Sequence, residues 1–224
     1  ISGIPGDTPG NLEKGLEKVL SLRPEHLSVY SLIIEENTPF YEMYTEGGLK
    51  AMLPSEEDER IMYHLTRKIL EGFGYRRYEI SNYSRPGQEC IHNIGYWTGK
   101  EYIGAGIGAA SYFRSYRYKN TEDIDEYIRT VMRSGLDGLV NVRCESGYID
   151  IRERIKEYLI LRLRLSDGIS KTDFEESFGF SVASRYKDVI DRHILSGLLE
   201  ERGDRLTLTE RGIDLSNIVM SDFL

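Results

Sequence analysis

Between residues 27 and 80 the apolar residues change period twice, and that change restricts the fold of this chain more than any other feature. Leu27-Ser28-Val29-Tyr30-Ser31-Leu32-Ile33-Ile34 is rich in apolar and β-branched residues and predicts a buried strand. Ser55 then opens a helix, with Glu56, Glu57 and Asp58 at its electropositive end. Ile61, Met62, Leu65, Ile69, Leu70 and Phe73 form its apolar face, Gly72 and Gly74 end it, and residues 75–80 return to a strand pattern. Strand–helix–strand order at these spacings predicts parallel βαβ units. An earlier helix is predicted after Thr8, with Pro9 at its first position, Leu12, Leu16, Val19 and Leu20 as its stripe, and Pro24 beyond its stop.

Residues 81–101 lack periodicity and read as loop. Residues 102–113 are apolar and glycine-rich, the pattern of a strand whose glycines admit a close neighbour. Thr121 is the expected cap of a helix reaching about residue 134, with Ile124, Tyr127, Ile128, Val131 and Met132 inward; residues 135–147 read as a connector. The final segment follows a different pattern. Helices are predicted over 151–165, near 171–178, and along Val182, Tyr186, Val189, Ile190 and Ile194. Residues 198–202 and 205–209 then form a hairpin about Gly203-Asp204, and Thr209 caps a last helix carrying Leu215, Ile218, Val219 and Phe223. Three helices followed by a hairpin spell a winged helix. The expected fold class is therefore α/β plus a small α+β domain, divided as 1–118, a connecting helix and linker at 119–150, and 151–224.

Charge narrows the partners. The net charge is -8, so the average field repels nucleic acid. In residues 151–224 acidic side chains outnumber basic ones by two, and the third predicted helix sets Arg185, Lys187 and Arg192 against Asp188 and Asp191. A DNA reader shows a basic face, so no nucleic-acid partner is expected. No apolar run approaches the roughly 18 residues of a membrane span, and no basic-then-apolar leader opens the sequence. Cys90 and Cys144 are two distant thiols, which suits a reducing compartment and falls short of a four-thiolate iron–sulfur site. A cytoplasmic setting is expected.

The chemistry concentrates in His92-Asn93-Ile94-Gly95-Tyr96-Trp97, which holds the single Trp and one of four His. An imidazole beside large aromatics suits a flat, apolar, metal-bearing ligand, because the ring can ligate while the aromatics stack. The competing reading is a loop whose aromatics plug a hole. Cys90-x-His92 is at most half a metal site. His26, His64 and His193 fall at a strand start and on helices and read as structural. Gly104-Ala105-Gly106-Ile107-Gly108-Ala109 invites a dinucleotide site, but no helix pattern follows the glycines, as that site requires. Glu35-Glu36 stands at the C-terminal end of the first predicted strand, where α/β barrels place chemistry, or else in a solvated loop.

The ordered set of motifs carries a resemblance. Gly3-Ile4-Pro5-Gly6-Asp7-Thr8 comes first, then Leu27-Ser28-Val29-Tyr30-Ser31-Leu32 with Glu35 and Thr38-Pro39. Tyr78-Glu79-Ile80-Ser81-Asn82-Tyr83 with Arg85-Pro86-Gly87 follows, then His92-Asn93 and Tyr96-Trp97, then Tyr102-Ile103-Gly104 and Gly106. This resembles the coproporphyrinogen III oxidase-like branch of the radical-SAM proteins, nearest its haem-chaperone type. The resemblance implies a partial TIM-type (β/α) barrel followed by a winged-helix domain. It implies haem as ligand, with His92 the haem- and metal-binding residue and Asn93, Tyr96 and Trp97 beside it. It also implies S-adenosyl-L-methionine and a 4Fe–4S cluster in the full-length parent, with the backbone of Ile33 and Ala110 near the adenosine. The cluster-binding cysteines would precede Ile1, so this portion alone is expected to be inactive as an enzyme. Ala110 stands where many chaperone-type members carry His. The implied partners are a tetrapyrrole (haem or coproporphyrinogen III) and a haem-acceptor protein. The alternatives are an oxygen-independent coproporphyrinogen III oxidase and a non-catalytic winged-helix binding module.

Overall fold

The structure is a computed structural model that describes residues 1–134 and 138–224. It contains two compact units, Ile1–Cys90 and Ile91–Leu224.

In the first unit, α1 (Pro9–Ser21) begins where the sequence places it: the Thr8 hydroxyl accepts from the Asn11 amide, and Pro9 occupies the first turn. The same device starts α2 (Pro39–Thr45), where Thr38 accepts from the Tyr41 amide. α3 (Glu56–Gly72) is capped by Ser55, with four acidic residues in its first turn. Its buried stripe is Met62, Thr66 and Leu70, with Thr66 satisfied by the Met62 carbonyl at 2.8 Å. Ile61 and Phe73, predicted inward, are exposed. α1 and α3 close over Leu16, Leu20, Leu70, Tyr75 and Tyr83.

The strands of this unit correct two expectations. The ladder of the predicted strand at 27–34 is confined to β1 (His26–Ser28); beyond it, Tyr30 and Ile33 are exposed, and Ser31 makes a single parallel bridge to Ser2. β2 (Arg76–Glu79) forms as predicted, but β3 (Asn82–Ser84) lies in residues read as loop and pairs antiparallel with both β1 and β2. β1 and β2 therefore run in one direction but flank β3, so the direct parallel pair of a βαβ unit does not form. The reason is local. Glu79, Asn82 and Ser84 are buried polar residues, and the Glu79 carboxylate accepts from the Ser81 amide at 2.8 Å and from the Asn82 side chain. That closes a tight turn which folds the chain straight back. A pattern search for apolar residues does not see a strand of this composition.

In the second unit, α4 (Ile91–Trp97) is followed by β4 (Ala110–Phe113), β5 (Tyr116–Asn120), α5 (Ile124–Ser134), α6 (Gly138–Asn141) and β6 (Arg143–Tyr148). β4, β5 and β6 form an antiparallel sheet in that order. Residues 102–113 are thus not one strand. Tyr102 bridges Tyr112, and the glycines between them turn the chain back on itself. A Cβ on Gly104 would lie 2.2 Å from the Ala110 carbonyl oxygen, so the close neighbour that this glycine admits is the chain's own backbone. α5 is capped by Asp123, which accepts from the Glu126 amide, while the Thr121 hydroxyl donates to Glu126. Its predicted inward residues Ile124, Ile128 and Met132 are exposed. Part of the predicted connector, residues 135–137, lies outside the described residues, and another part is β6. The expected boundary at residue 118 falls inside β5.

The final segment follows the sequence closely: α7 (Ile151–Arg164), α8 (Lys171–Phe178), α9 (Val182–Leu195), β8 (Leu199–Arg202) and β9 (Arg205–Leu208). A short β7 (Ile169–Ser170) adds an edge to the hairpin. The last predicted helix is two, α10 (Glu210–Asp214) and α11 (Ser216–Ser221), separated at Leu215. Asp150 and Glu153 form a reciprocal capping box at the start of α7. Ile155, Leu159, Leu163, Phe174, Ile190, Leu206, Val219 and Phe223 pack as one core. Burial of this many large side chains, each worth about 1.5–3 kcal/mol, makes this segment the best-anchored part of its unit. Among the described residues no helix is long and apolar enough to cross a membrane.

Candidate functional site

The segment holding His92 and Trp97 is a helix, not the loop the sequence suggests. Its end explains why: the Gly99 amide donates to the Tyr96 carbonyl at 3.0 Å, and the Lys100 amide reaches the Gly95 carbonyl at 2.9 Å. Gly99 has φ +70. This is a Schellman stop, and Thr98-Gly99 just past the last aromatic was its signal in the sequence.

Helical spacing sorts the motif into two faces. His92 and Tyr96 are one turn apart on the exposed face, rings edge-to-face with centroids 4.8 Å apart. Tyr96 meets Tyr102 in the same way at 4.6 Å. An imidazole is thus held at the end of a short aromatic row, exposed and accessible. Asn93 and Trp97, also one turn apart, are half-buried. The Trp97 ring lies under the Arg164 guanidinium of α7, 4.4 Å from its centroid, and its indole N–H is buried without a partner among the described residues.

Beside this face is a cleft of about 190 Å³. Trp97, Gly99 and Tyr112 line it from one side, and Arg154, Glu157, Tyr158, Arg162 and Phe178 from the other. Glu157 is engaged by both terminal nitrogens of Arg117, at 2.6 and 3.1 Å. This hydrogen bonding holds the Arg117 guanidinium in its charged form more firmly than usual, against the opposing effect of burial. Burial raises the Tyr158 phenol above its ordinary range, so it stays a neutral donor. Sequence reasoning missed Tyr112, Tyr158, Arg162 and Arg164, because they meet the motif only through the packing of α7 and β4.

The other expected site residues fall in both units. Ile33 lies in the first unit and is 74% exposed; Ala110 opens β4 and is exposed. Cys90 is half-buried and Cys144 exposed, and two thiols do not match the four-thiolate set of a 4Fe–4S cluster. Among the described residues no group of three or more His, Cys, Asp or Glu could hold a metal ion, so His92 is not part of such a cluster. His26 and His193 are structural: His26 meets the Tyr78 hydroxyl at 2.8 Å, and His193 is buried against Asp222 at 2.9 Å. Glu35 and Glu36 sit in an exposed loop that leads into the α2 cap.

The model of the family described as HemN C-terminal domain matches residues 149–215. A heme chaperone HemW from Bacillus subtilis (strain 168) is 35% identical over 99% of this chain and 57% of its own length. A heme chaperone HemW from Lactococcus lactis subsp. lactis (strain IL1403) is 34% identical over 100% of this chain and 57% of its own length. The chain is a HemW/HemN-like C-terminal portion. The radical S-adenosyl methionine domain-containing protein 1, mitochondrial, of Danio rerio is 30% identical over 95% of this HemW/HemN-like chain and 47% of its own length. The chain therefore spans about half the length of the curated relatives it matches. Among solved structures, coproporphyrinogen III oxidase (HemN) from Escherichia coli, described as a radical SAM enzyme, has a TM-score of 0.76 at 18% identity. It matches over 99% of this chain and 53% of its own. At that identity the likeness concerns the fold.

Proposed function

We propose that this HemW/HemN-like portion belongs to a haem chaperone, a cytoplasmic protein that binds haem at the exposed face of α4 and passes it to an acceptor protein. The observation that carries the reading is the geometry of α4: an exposed imidazole, His92, steadied by a row of edge-to-face rings at Tyr96 and Tyr102. A single accessible imidazole is sufficient to bind a haem iron, and a shallow exposed seat suits a cargo that must be released. Tyr96 offers the porphyrin an aromatic surface; Asn93 and Trp97 are half-buried, and Trp97 is seated against Arg164.

The similarity to relatives named heme chaperone supports this reading over oxidative decarboxylation of coproporphyrinogen III, since the likeness to the oxidase rests on fold. In this reading the first unit is a piece of a (β/α) barrel, supported by the fold-level likeness to coproporphyrinogen III oxidase (HemN). The segment from α7 onward is a winged-helix module without a nucleic-acid role. Charge pairing supports the latter: on α9 Lys187 pairs with Asp191, and Arg192 reaches Asp222 at 3.4 Å. S-adenosyl-L-methionine and the iron–sulfur cluster belong to the longer parent.

Haem titration into the chain tests the assignment. A shifted Soret band in the wild-type chain and its loss in His92→Ala is the expected result. An unchanged spectrum in the variant removes His92 from the mechanism.

A further inference from the structure

The cleft beside α4 combines features that the haem-binding face does not use. Trp97, Tyr112, Tyr158 and Phe178 give it aromatic walls, and Arg154 and Arg162 give it positive charge. The one acidic residue in its lining, Glu157, is neutralised by the bidentate bond from Arg117. A net positive, aromatic-walled recess is thus maintained on a chain of net charge -8.

Its donors are also underused. A guanidinium carries five N–H groups. Among the described residues Arg162 makes a single long hydrogen bond, from Nη2 to the Thr98 carbonyl at 3.5 Å, while its Nε meets no partner. The Tyr158 hydroxyl and the Trp97 indole N–H are likewise buried without partners. Each such group is destabilising if it stays unmatched. Three buried donors on residues that line one recess thus lack an acceptor among the described residues. The volume of about 190 Å³ lies below the roughly 300–1,000 Å³ of a pocket for a whole drug-sized ligand. The recess suits one arm of a ligand whose body lies outside.

We propose that this cleft is a carboxylate subsite that receives one propionate arm of the tetrapyrrole. Arg162 is the principal anchor, and Arg154 is the second cation of the recess. The assignment rests on the haem reading for the identity of the ligand, but the carboxylate chemistry is independent of it. A guanidinium–carboxylate bond is worth about 1.5–3 kcal/mol, so its loss weakens binding at least tenfold.

Trp97 is the only Trp and lines the cleft, which makes its fluorescence a local reporter. The test is titration of the chain with 3-phenylpropionate and with its methyl ester, followed by Trp97 emission, and with haem and haem dimethyl ester, followed by the Soret band. The free acid is expected to change Trp97 emission where the ester does not, and haem to bind at least tenfold more tightly than its diester. Arg162→Gln is expected to remove both preferences. Arg154→Gln, at an exposed position, halves the cationic charge of the recess and is expected to reduce both preferences if Arg162→Gln does not fold. Equal response to acid and ester, or preferences unaffected in both variants, overturns the subsite even if haem binds. A free-acid response without haem binding overturns the tetrapyrrole as its ligand and leaves the haem reading as the part that failed.

Discussion

The Arg164 guanidinium stands 4.4 Å from the centroid of the Trp97 ring, and this contact ties α4, which carries the candidate haem ligand, to α7 of the best-packed segment. A cation over an indole face is worth about 0.5–2 kcal/mol, more as it is desolvated. Arg164→Met keeps the apolar stem and removes the charge. It is expected to lower the stability of the second unit by about that amount and to raise the mobility of α4. Urea unfolding followed by Trp97 emission measures the first, and amide exchange over residues 91–97 the second. Equal midpoints for the variant and wild type would show that packing alone seats the indole.

Asp204, in the turn between β8 and β9, ties that turn to the start of α8. Its carboxylate accepts from the Ser170 hydroxyl at 2.7 Å, and from the Thr172 hydroxyl and amide at 2.8 and 3.0 Å. These bonds, the one from Ser170 first, hold its carboxyl below the ordinary aspartate range. A folded pKa depressed in this way adds stability above the unfolded value, near 3.9, and that stability disappears as pH falls through the folded value. Wild-type stability is expected to drop on acidification below about pH 4, with a shallower drop in Asp204→Asn. Thermal melts between neutral pH and the acid limit read both slopes.

The legibility of the chain follows where its folding information is local. Thr8, Ser55 and the Gly203-Asp204 turn act within a few residues of themselves, and α1, α3 and the β8–β9 hairpin stand where the pattern places them. β3 escaped because it is held by buried polar groups, Glu79, Asn82 and Ser84, whose partners a hydropathy pattern cannot name. The exposed stripe of Ile124, Ile128 and Met132 shows the opposite error, an amphipathic pattern without burial. Of the candidate site, the motif's residue types were legible, but its helical form depended on the Gly99 stop, and the cleft depended on Arg162 and Tyr158, more than 60 residues away in sequence.

His26 carries a second pH dependence, of opposite chemical origin. Burial lowers its pKa, partly offset by Glu79, so the folded unit favours the neutral ring beside Tyr78. The unfolded chain binds a proton more readily, with a pKa near 6.5. The neutral ring's advantage is therefore present above about pH 6.5 and diminishes as pH falls toward the folded value. His26→Gln cannot titrate and is expected to flatten the stability profile of the first unit below about pH 6.5. Far-UV melts of variant and wild type across that range provide the comparison, and parallel profiles would remove His26 as the source.

Two helical glycines separate backbone crowding from backbone entropy. Gly212 in α10 packs against the β8 entry: a Cβ there would lie 1.9 Å from the Leu198 carbonyl oxygen, itself the acceptor for the Thr209 amide at 3.0 Å. Backbone cannot step aside as a flexible side chain can, so Gly212→Ala must displace α10 from the hairpin. The expected penalty is that of overpacking, about 1–3 kcal/mol. Gly15 in the middle of α1 has nothing within 4 Å of the position its Cβ would take. There the methyl group only restricts the unfolded chain and improves helix propensity, so Gly15→Ala is expected to stabilise the first unit by about 0.5–1 kcal/mol. Opposite shifts in the melting of the two units, resolved by urea titration of each variant, are the predicted result; a stabilising Gly212→Ala would mean that α10 does not sit against Leu198.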